Sequence, residues 1–548
     1  MSGAAAHLVV APILIPLAAA ALMVALRERR RIDRALVSVV ASAASFAVAI
    51  ALAVAVDRDG AIAVYLPSNW PVPFGIALAV DRLSALMLAL ASFLGLASSV
   101  YASARWQRAG VHFQPLFQLL LMGLHGAFLT ADLFNLFVFF EVMLAASYGL
   151  LLHGSGPGRV RAGLHYLAIN LVGSTLFLVG VAMLYGVTGT LNFADMAVEF
   201  SAVPVPDRGL LHAGAAVLAV AFLVKAAMWP LGFWLVPAYA VASPPAAAAF
   251  AIMTKVGIYA LLRFGSLLHA GPEVQLDRFL AATLLAGGLA TLAFATLGML
   301  ASQRLAKLAS FAIVGSSGTL LAAAGFGEPA VTAAALFYLA VSTLAAGALF
   351  LLVESVERSD VPETEADLVD EASTLPFALD RLEIPAGVNL DDDEEALVGK
   401  VFPPTAVFVG LAFMASALLV AGLPPLAGFL AKVAMLGAVL GGGALAESSL
   451  PGATWMFLTL VIVSGLAAML ALARTGIRHL WAASGRGAPQ VRVVEGLPIA
   501  LLVAAGLTAA IAAGPAMRFA GDTAASIHDA TGYIEAVLSA RVVGGAPR

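Results

Sequence analysis

The sequence predicts an all-α polytopic membrane protein of about 14 transmembrane helices. Of its 548 residues, 61% are hydrophobic and only 11% charged, and its mean hydropathy is +0.98. Soluble domains carry about 25% charged residues, so lipid must solvate most of this chain. Apolar runs of about 20 residues, the length that crosses a bilayer as a helix, recur along it. Most of the bases sit in the loops between these runs.

The first run, His7 to Leu26, is followed by RERRRIDR. A cleavable signal carries its positive charge before the apolar stretch, so this run is expected to be the first transmembrane helix. Further spans are placed near residues 35–56, 77–101, 115–130, 133–153, 165–187, 210–229 and 243–267. Six more lie near 278–300, 307–326, 330–353, 402–441 (one long broken element), 452–473 and 495–513. The tail after Gly514 is weakly amphipathic and is expected along the membrane surface.

Lysine and arginine mark the cytoplasmic side of short loops. Placing Arg27–Arg34 there also brings Arg105/Arg108, Arg159/Arg161, Arg304/Lys307 and Arg474–Arg492 to that side, and leaves both termini outside. The 354–400 segment, with 15 of the 33 acidic residues, is the one sizeable hydrophilic insertion and is expected in the cytoplasm. Its DDDEE run at 391–395 reads as a solvated loop. The dispersed bases resemble no nucleic-acid footprint. The absence of cysteine excludes disulfides, cysteine-ligated clusters and thiol chemistry within this chain. The scattered histidines include no His-x3-His pair of the kind that ligates a metal.

Charges inside the apolar runs carry the functional reading. Glu141, in DLFNLFVFFEVMLAASY, has no basic residue within a helical turn. A carboxylate in a span is costly unless it faces a partner or water. Lys225, Lys255 and Lys432 lie in similarly apolar surroundings. Asp132 precedes the Glu141 helix and is expected to cap it. Arg263 and Lys400 lie nearer span ends and are expected to snorkel to the interface.

Two spans are interrupted. The seventh runs into KAAMWPLGFWLVPAYAVASPP and the twelfth contains AGLPPLAGFLAK. Proline removes a backbone donor and opens the helix, and opened backbone at membrane depth must be buried in protein or line a wet cavity. Lys225 stands five residues before Pro230, and Lys432 seven after Pro425. Paired broken helices in two halves of a transporter point to an ion pathway. Burial disfavours the charged form of lysine or glutamate, whereas pairing favours it. A lysine alternating between a carboxylate and a desolvated site therefore takes up and releases protons without a cofactor. Lys255 could bridge the two breaks, and His125 and His165 could extend a wet path.

ADLFNLFVFFEVMLAASYGLL, FLVKAAMWPLGFWLVPAYAVASPP, MTKVGIYALLRF and AGLPPLAGFLAKVAML, in this order, resemble the D-type subunits of the multisubunit Mrp (Mnh, Pha) cation/proton antiporters. That family is related to the antiporter-like subunits of respiratory complex I and membrane-bound hydrogenases. The resemblance implies two inverted five-helix repeats, spans 4–8 and 9–13, with helices 7 and 12 broken. It divides the chain into helices 1–3 (1–110), a first half-channel (111–270), a second half-channel with the acidic loop (271–473), and helix 14 with the tail (474–548).

The resemblance makes Glu141 and Lys225 an ion pair, Lys255 the connection between halves and Lys432 the end of a proton relay. It implies a transporter subunit rather than an enzyme, in the cell (inner) membrane, exchanging protons for Na+ or K+ beside other subunits of a hetero-oligomeric complex. The alternative is a proton-pumping subunit of a complex I or hydrogenase assembly. Many relatives carry a histidine in the eleventh helix, where this chain has Val341 and Ser342. The motif RLAKLASFAIVGSSGTLL also lacks the histidine of complex I relatives, though Lys307 remains. A second-half route must then use water, Ser310, Ser316, Ser317, Ser342 or Thr343.

Overall fold

Each apolar run falls on a helix or an interrupted pair of helices in the computed structural model, which describes residues 7–26, 30–106, 110, 112–269, 274–358, 403–441, 451–481 and 491–542. In hydrocarbon a backbone must bond within itself, and helices meet that demand almost throughout. Twelve helices among the described residues are long and apolar enough to cross a membrane, and three shorter ones are also apolar.

The N-terminal helices are α1 (Ala11–Ala25), α2 (Arg31–Asp59) and α3 (Arg82–Ala104). The apolar run begins at residue 77, but the helix begins at Arg82. Asp81 accepts a hydrogen bond from the Ser84 amide and caps it. The residues before the cap are extended: Leu78–Val80 pairs antiparallel with Ala63–Tyr65. This small ribbon continues through isolated bridges, Leu78 to Thr130 and Asp132 to Asn192. It thereby clamps the turn between α4 (Phe113–Leu129) and α5 (Leu133–Leu152).

The first half continues with α6 (Pro157–Thr188), the short α7 (Phe193–Ala202), α8 (Arg208–Lys225), α9 (Leu235–Tyr239), α10 (Pro244–Phe250) and α11 (Met253–His269). The second half holds α12 (Val274–Ala301), α13 (Leu305–Gly325), α14 (Pro329–Arg358), α15 (Pro404–Ala421), α16 (Ala427–Gly441) and α17 (Pro451–Gly476). Then come α18 (Val493–Ile511), α19 (Ala513–His528) and α20 (Thr531–Leu538). The α10–α11 span, α13 and α14 are the most enclosed, and α14 touches helices of both halves.

Small residues let these helices approach closely, as is usual where lipid supplies no hydrophobic drive between them. A Cβ at Gly288 would stand 2.3 Å from the Ala322 amide nitrogen, and one at Gly318 2.6 Å from that of Leu292. This binds α12 to α13.

The tail packs against the protein. Ala520, Thr523, Ala524 and Ile527 of α19 are buried, with α14 alongside, and Tyr533 and Val537 of α20 are buried near α7. Residues 359–402 lie outside the described residues, and with them most of the acidic loop, its DDDEE run and Lys400.

Candidate functional site

Asp132 caps α5, as expected, accepting from the Asn135 amide at 2.8 Å. Two and a half turns on, Glu141 is half-buried and accepts a short hydrogen bond from the Ser174 hydroxyl of α6. Lys225 is the last residue of α8 and is 6% exposed. Its Nζ donates to Asn170 Oδ1 at 3.2 Å and lies 5.7 Å from the centre of the Phe140 ring. Tyr166 shares a 2.7 Å hydrogen bond with the Ser147 hydroxyl.

Tyr166, Asn170 and Ser174 are spaced four apart, so they form one stripe on α6. That stripe meets Ser147, Lys225 and Glu141 in turn. Glu141 and Lys225 are therefore neighbours without forming the direct ion pair expected from the sequence, because each charge is satisfied by a neutral side chain one turn from the other's partner. They remain within electrostatic reach of one another. Sequence reasoning overlooked the stripe, although polar residues at a period of four in an apolar helix are its signal.

The break after Lys225 is stabilised by side chains. Ala227 takes a φ of +57°, rare for a residue with a Cβ. A Cβ on Gly232 would fall 2.2 Å from the Ala227 oxygen, so only glycine fits there. Trp234 Nε1 donates to the Val224 carbonyl at 3.3 Å, and the Trp229 amide donates to Thr291 Oγ1 of α12 at 2.9 Å. Helix α11 presses against the same break, for a Cβ at Gly257 would stand 2.5 Å from the Ala226 nitrogen.

Lys255 also follows a break, one without proline. The span containing α10 and α11 is interrupted at Ala251 and Ile252, where the Ala251, Ile252 and Lys255 amides bond three residues back instead of four. Lys255 is 1% exposed, and its Nζ reaches Thr254 Oγ1 at 3.3 Å. No sequence signal betrays this interruption, since AAAAFAIMTK contains neither proline nor glycine.

In the second half, α15 ends at Gly422, whose φ is +72°. Lys432, 8% exposed, turns back to donate to the freed Ala421 carbonyl at 2.8 Å. Gly465 of α17 makes room, since its Cβ would lie 2.7 Å from the Ala421 oxygen and 3.3 Å from Lys432 Nζ. Lys432 lines a cleft with Ser316, Thr319, Tyr338, Ser342 and Ser464. Ser316 and Ser342 hydroxyls stand 3.3 Å apart. Ser310 and Thr343 instead bond carbonyls of their own helices, and Ser317 has no partner among the described residues. Among the described residues, no carboxylate lines this cleft.

Other sequence-selected residues fall elsewhere. His125 is buried, with Nδ1 bonded to the Pro12 carbonyl at 2.7 Å and Nε2 to Ser92 at 3.0 Å. It ties α1 and α3 to α4 and is not brought to Glu141. His165 is exposed on α6, edge-on to Phe233, and Lys307 is exposed near the start of α13. Arg263 does not snorkel. It is 4% exposed and forms an ion pair with Asp81 at 2.7 Å, with the Tyr533 ring 4.4 Å from its guanidinium carbon. Burial alone would raise the Asp81 carboxyl, but Arg263 holds it below the usual carboxylate range. Among the described residues, no three His, Cys, Asp or Glu side chains gather to hold a metal.

A family model described as "NADH:quinone oxidoreductase/Mrp antiporter, TM" matches residues 130–374. The chain is 48% identical over 546 residues to the D-type subunit of a probable K(+)/H(+) antiporter of Rhizobium meliloti (strain 1021), covering 98% of each chain. The chain belongs to the family of Mrp/Mnh antiporter D-type subunits. Within that family it is also 32% identical to the D-type subunit of the Na(+)/H(+) antiporter of Alkalihalophilus pseudofirmus, across 97% of this chain and 99% of the relative. Its fold matches a chain of the Mrp complex from Dietzia sp. DQ12-45-1b with a TM-score of 0.79 at 25% identity, over 98% of this chain and all of that one. A chain of respiratory complex I from Thermus thermophilus shares the fold, with a TM-score of 0.71 at 23% identity, over 97% of this chain and all of the other. As a member of this Mrp-type family, the protein is a transporter component with a multi-pass membrane fold.

Proposed function

We propose that this subunit carries protons through a relay of Glu141, Lys225, Lys255 and Lys432 within a hetero-oligomeric antiporter that exchanges protons for Na+ or K+. The observation that carries the proposal is the α6 stripe, which holds the Glu141 carboxylate and the Lys225 ammonium one turn apart beside an opened helix. A proton reaching Glu141 cancels the charge that Lys225 senses. Lys225 then loses its reason to remain charged and can pass a proton towards Lys255, whose helix presses on the same break. Lys432, with Ser316 and Ser342, continues the path into the second half. This reading has two inverted repeats, spans 4–8 and 9–13, facing each other across the enclosed α10–α11 span and α14.

The loop charges support an inner-membrane orientation with both termini outside and the 354–400 segment in the cytoplasm. The partners are other subunits of the antiporter and the surrounding lipid. Identity to subunits named as parts of antiporters over nearly the full chain favours this reading over a redox-driven pump, for which the similarity is one of fold. The test is antiport by vesicles carrying the whole complex with Glu141→Gln or Lys225→Ala in this subunit. Both variants should assemble and lose exchange. Full exchange by either one removes the pair from the mechanism.

A further inference from the structure

A cleft opens at the end of the molecule where α6 and α13 begin and α14 ends, lined by Trp106, Arg159, Tyr239, Arg304 and Glu354 among others. Two of its charges are held in place. Glu354 accepts from Trp106 Nε1 at 2.9 Å and from the Tyr101 hydroxyl at 3.2 Å, while Arg159 donates to the Val241 carbonyl at 2.9 Å. Tyr239 is 1% exposed, and its hydroxyl has no hydrogen-bond partner among the described residues. A buried hydroxyl left unbonded is disfavoured, so its persistence at the edge of a polar cleft calls for a use.

Behind Tyr239, aromatic packing leads inward. Its ring packs on Trp234 at 6.1 Å between centres, and Trp234 packs on Tyr166 at 5.3 Å. Tyr166 and Ser147 share their hydroxyl hydrogen bond, and Ser147 lies six residues beyond Glu141 on α5, about 9 Å along the helix axis. The Tyr166 carbonyl accepts from Asn170 Nδ2 at 2.9 Å, and that amide's oxygen holds Lys225. The tyrosines therefore stand between the cleft and the Glu141–Lys225 site.

We propose that Tyr239, Tyr166 and Ser147 form the hydroxyl limb that connects this cleft to Glu141, with water from the cleft completing the free bond of Tyr239. The proposal rests on the proton-relay reading above. A hydroxyl both donates and accepts. Tyr166 and Ser147 are the bonded pair of the limb. Water spans the steps from Tyr239 to Tyr166 and, once the Ser147 hydroxyl turns from the Leu144 carbonyl, from Ser147 to Glu141. Each hydroxyl gives up one proton as it takes another, so each ends in its starting protonation state. Water in the cleft supplies the proton from the bulk solution, and Glu141 receives it.

The test uses the intact antiporter complex in proteoliposomes, reading the initial rate of pH-gradient dissipation on adding Na+ or K+. Tyr239→Phe keeps the ring and removes the hydroxyl, and should slow exchange about tenfold or more at normal complex yield. Tyr239→His restores a group that donates and accepts, and should recover part of the rate. Tyr166→Phe should resemble Tyr239→Phe, and it carries the test if Tyr239 variants fail to assemble. Wild-type rates in Tyr239→Phe or Tyr166→Phe, alongside an inactive Glu141→Gln, overturn the limb and leave the relay standing. Equal loss in Tyr239→Phe and Tyr239→His assigns Tyr239 to packing and also overturns it. An active Glu141→Gln instead defeats the underlying relay.

Discussion

Lys225 is the last residue before its break and finds a side chain, Asn170, whereas Lys432 lies beyond its break and turns back to a backbone carbonyl, that of Ala421. Both breaks are pressed by the helix that follows, through Gly257 in one half and Gly465 in the other. The architecture is thus similar and the chemistry differs. Lys225 has a carboxylate within electrostatic reach, while Lys432 has, among the described residues, a carbonyl and a cleft of hydroxyls. A charge inside a membrane protein must be offset by partners or water. The first half offers a partner that can itself titrate, and the second offers neutral dipoles. In the proposed relay, the first site would then switch charge and the second conduct protons.

The sharpest way to break that contrast is to neutralise each site in turn. Glu141→Gln should lower exchange by about a hundredfold or more, the scale of removing a proton-transfer group, measured as cation-driven pH change in vesicles. Lys432→Met should cost less, about tenfold, the scale of one hydrogen bond to a charged group. Equal losses in the two variants would make the halves chemically equivalent.

The next effect concerns assembly. Asp81→Asn leaves Arg263 buried without its counter-charge, which should destabilise the protein by about 3–5 kcal/mol, read as a lower unfolding temperature in detergent. Gly257→Ala drives a methyl into the Ala226 backbone and should cost about 1–3 kcal/mol by overpacking. Exchange should fall with it only if contact between α11 and the Lys225 break transmits the proton. The smallest effect should come from Lys307→Ala and His165→Phe, both exposed, whose exchange rates should match the parent. A marked loss in either would extend the path to the outer faces of α6 or α13.

Much of the fold was legible because hydrocarbon leaves a backbone few choices. The runs at 133–153 and 307–326 became helices within a few residues of their expected ends. Asp132 was readable as a cap since a short acidic side chain before an apolar run has few other uses. The breaks at Pro230 and Pro425 were visible through proline. The break before Lys255 was not, because it arises from how Ala251 and Ile252 pack rather than from any residue that cannot be helical. Arg263 misled for a related reason: distance from a span end says nothing about whether a neighbouring loop supplies a carboxylate, and Asp81 lies far away in sequence.

The site divides in the same way. Glu141, Lys225, Lys255 and Lys432 stand out in the sequence because a charge among apolar residues is expensive wherever it ends up. Which neutral groups meet those charges is a property of helix rotation and crossing. Only the tertiary structure placed Asn170 between Lys225 and Tyr166, gave Ser174 to Glu141, and gathered Ser316 and Ser342 beside Lys432. Sequence thus determined the membrane class, the helices and the charged residues, through solvation costs that each residue carries with it. Tertiary structure decided the partners, because hydrogen bonds depend on distances of a few ångströms between segments far apart in the chain.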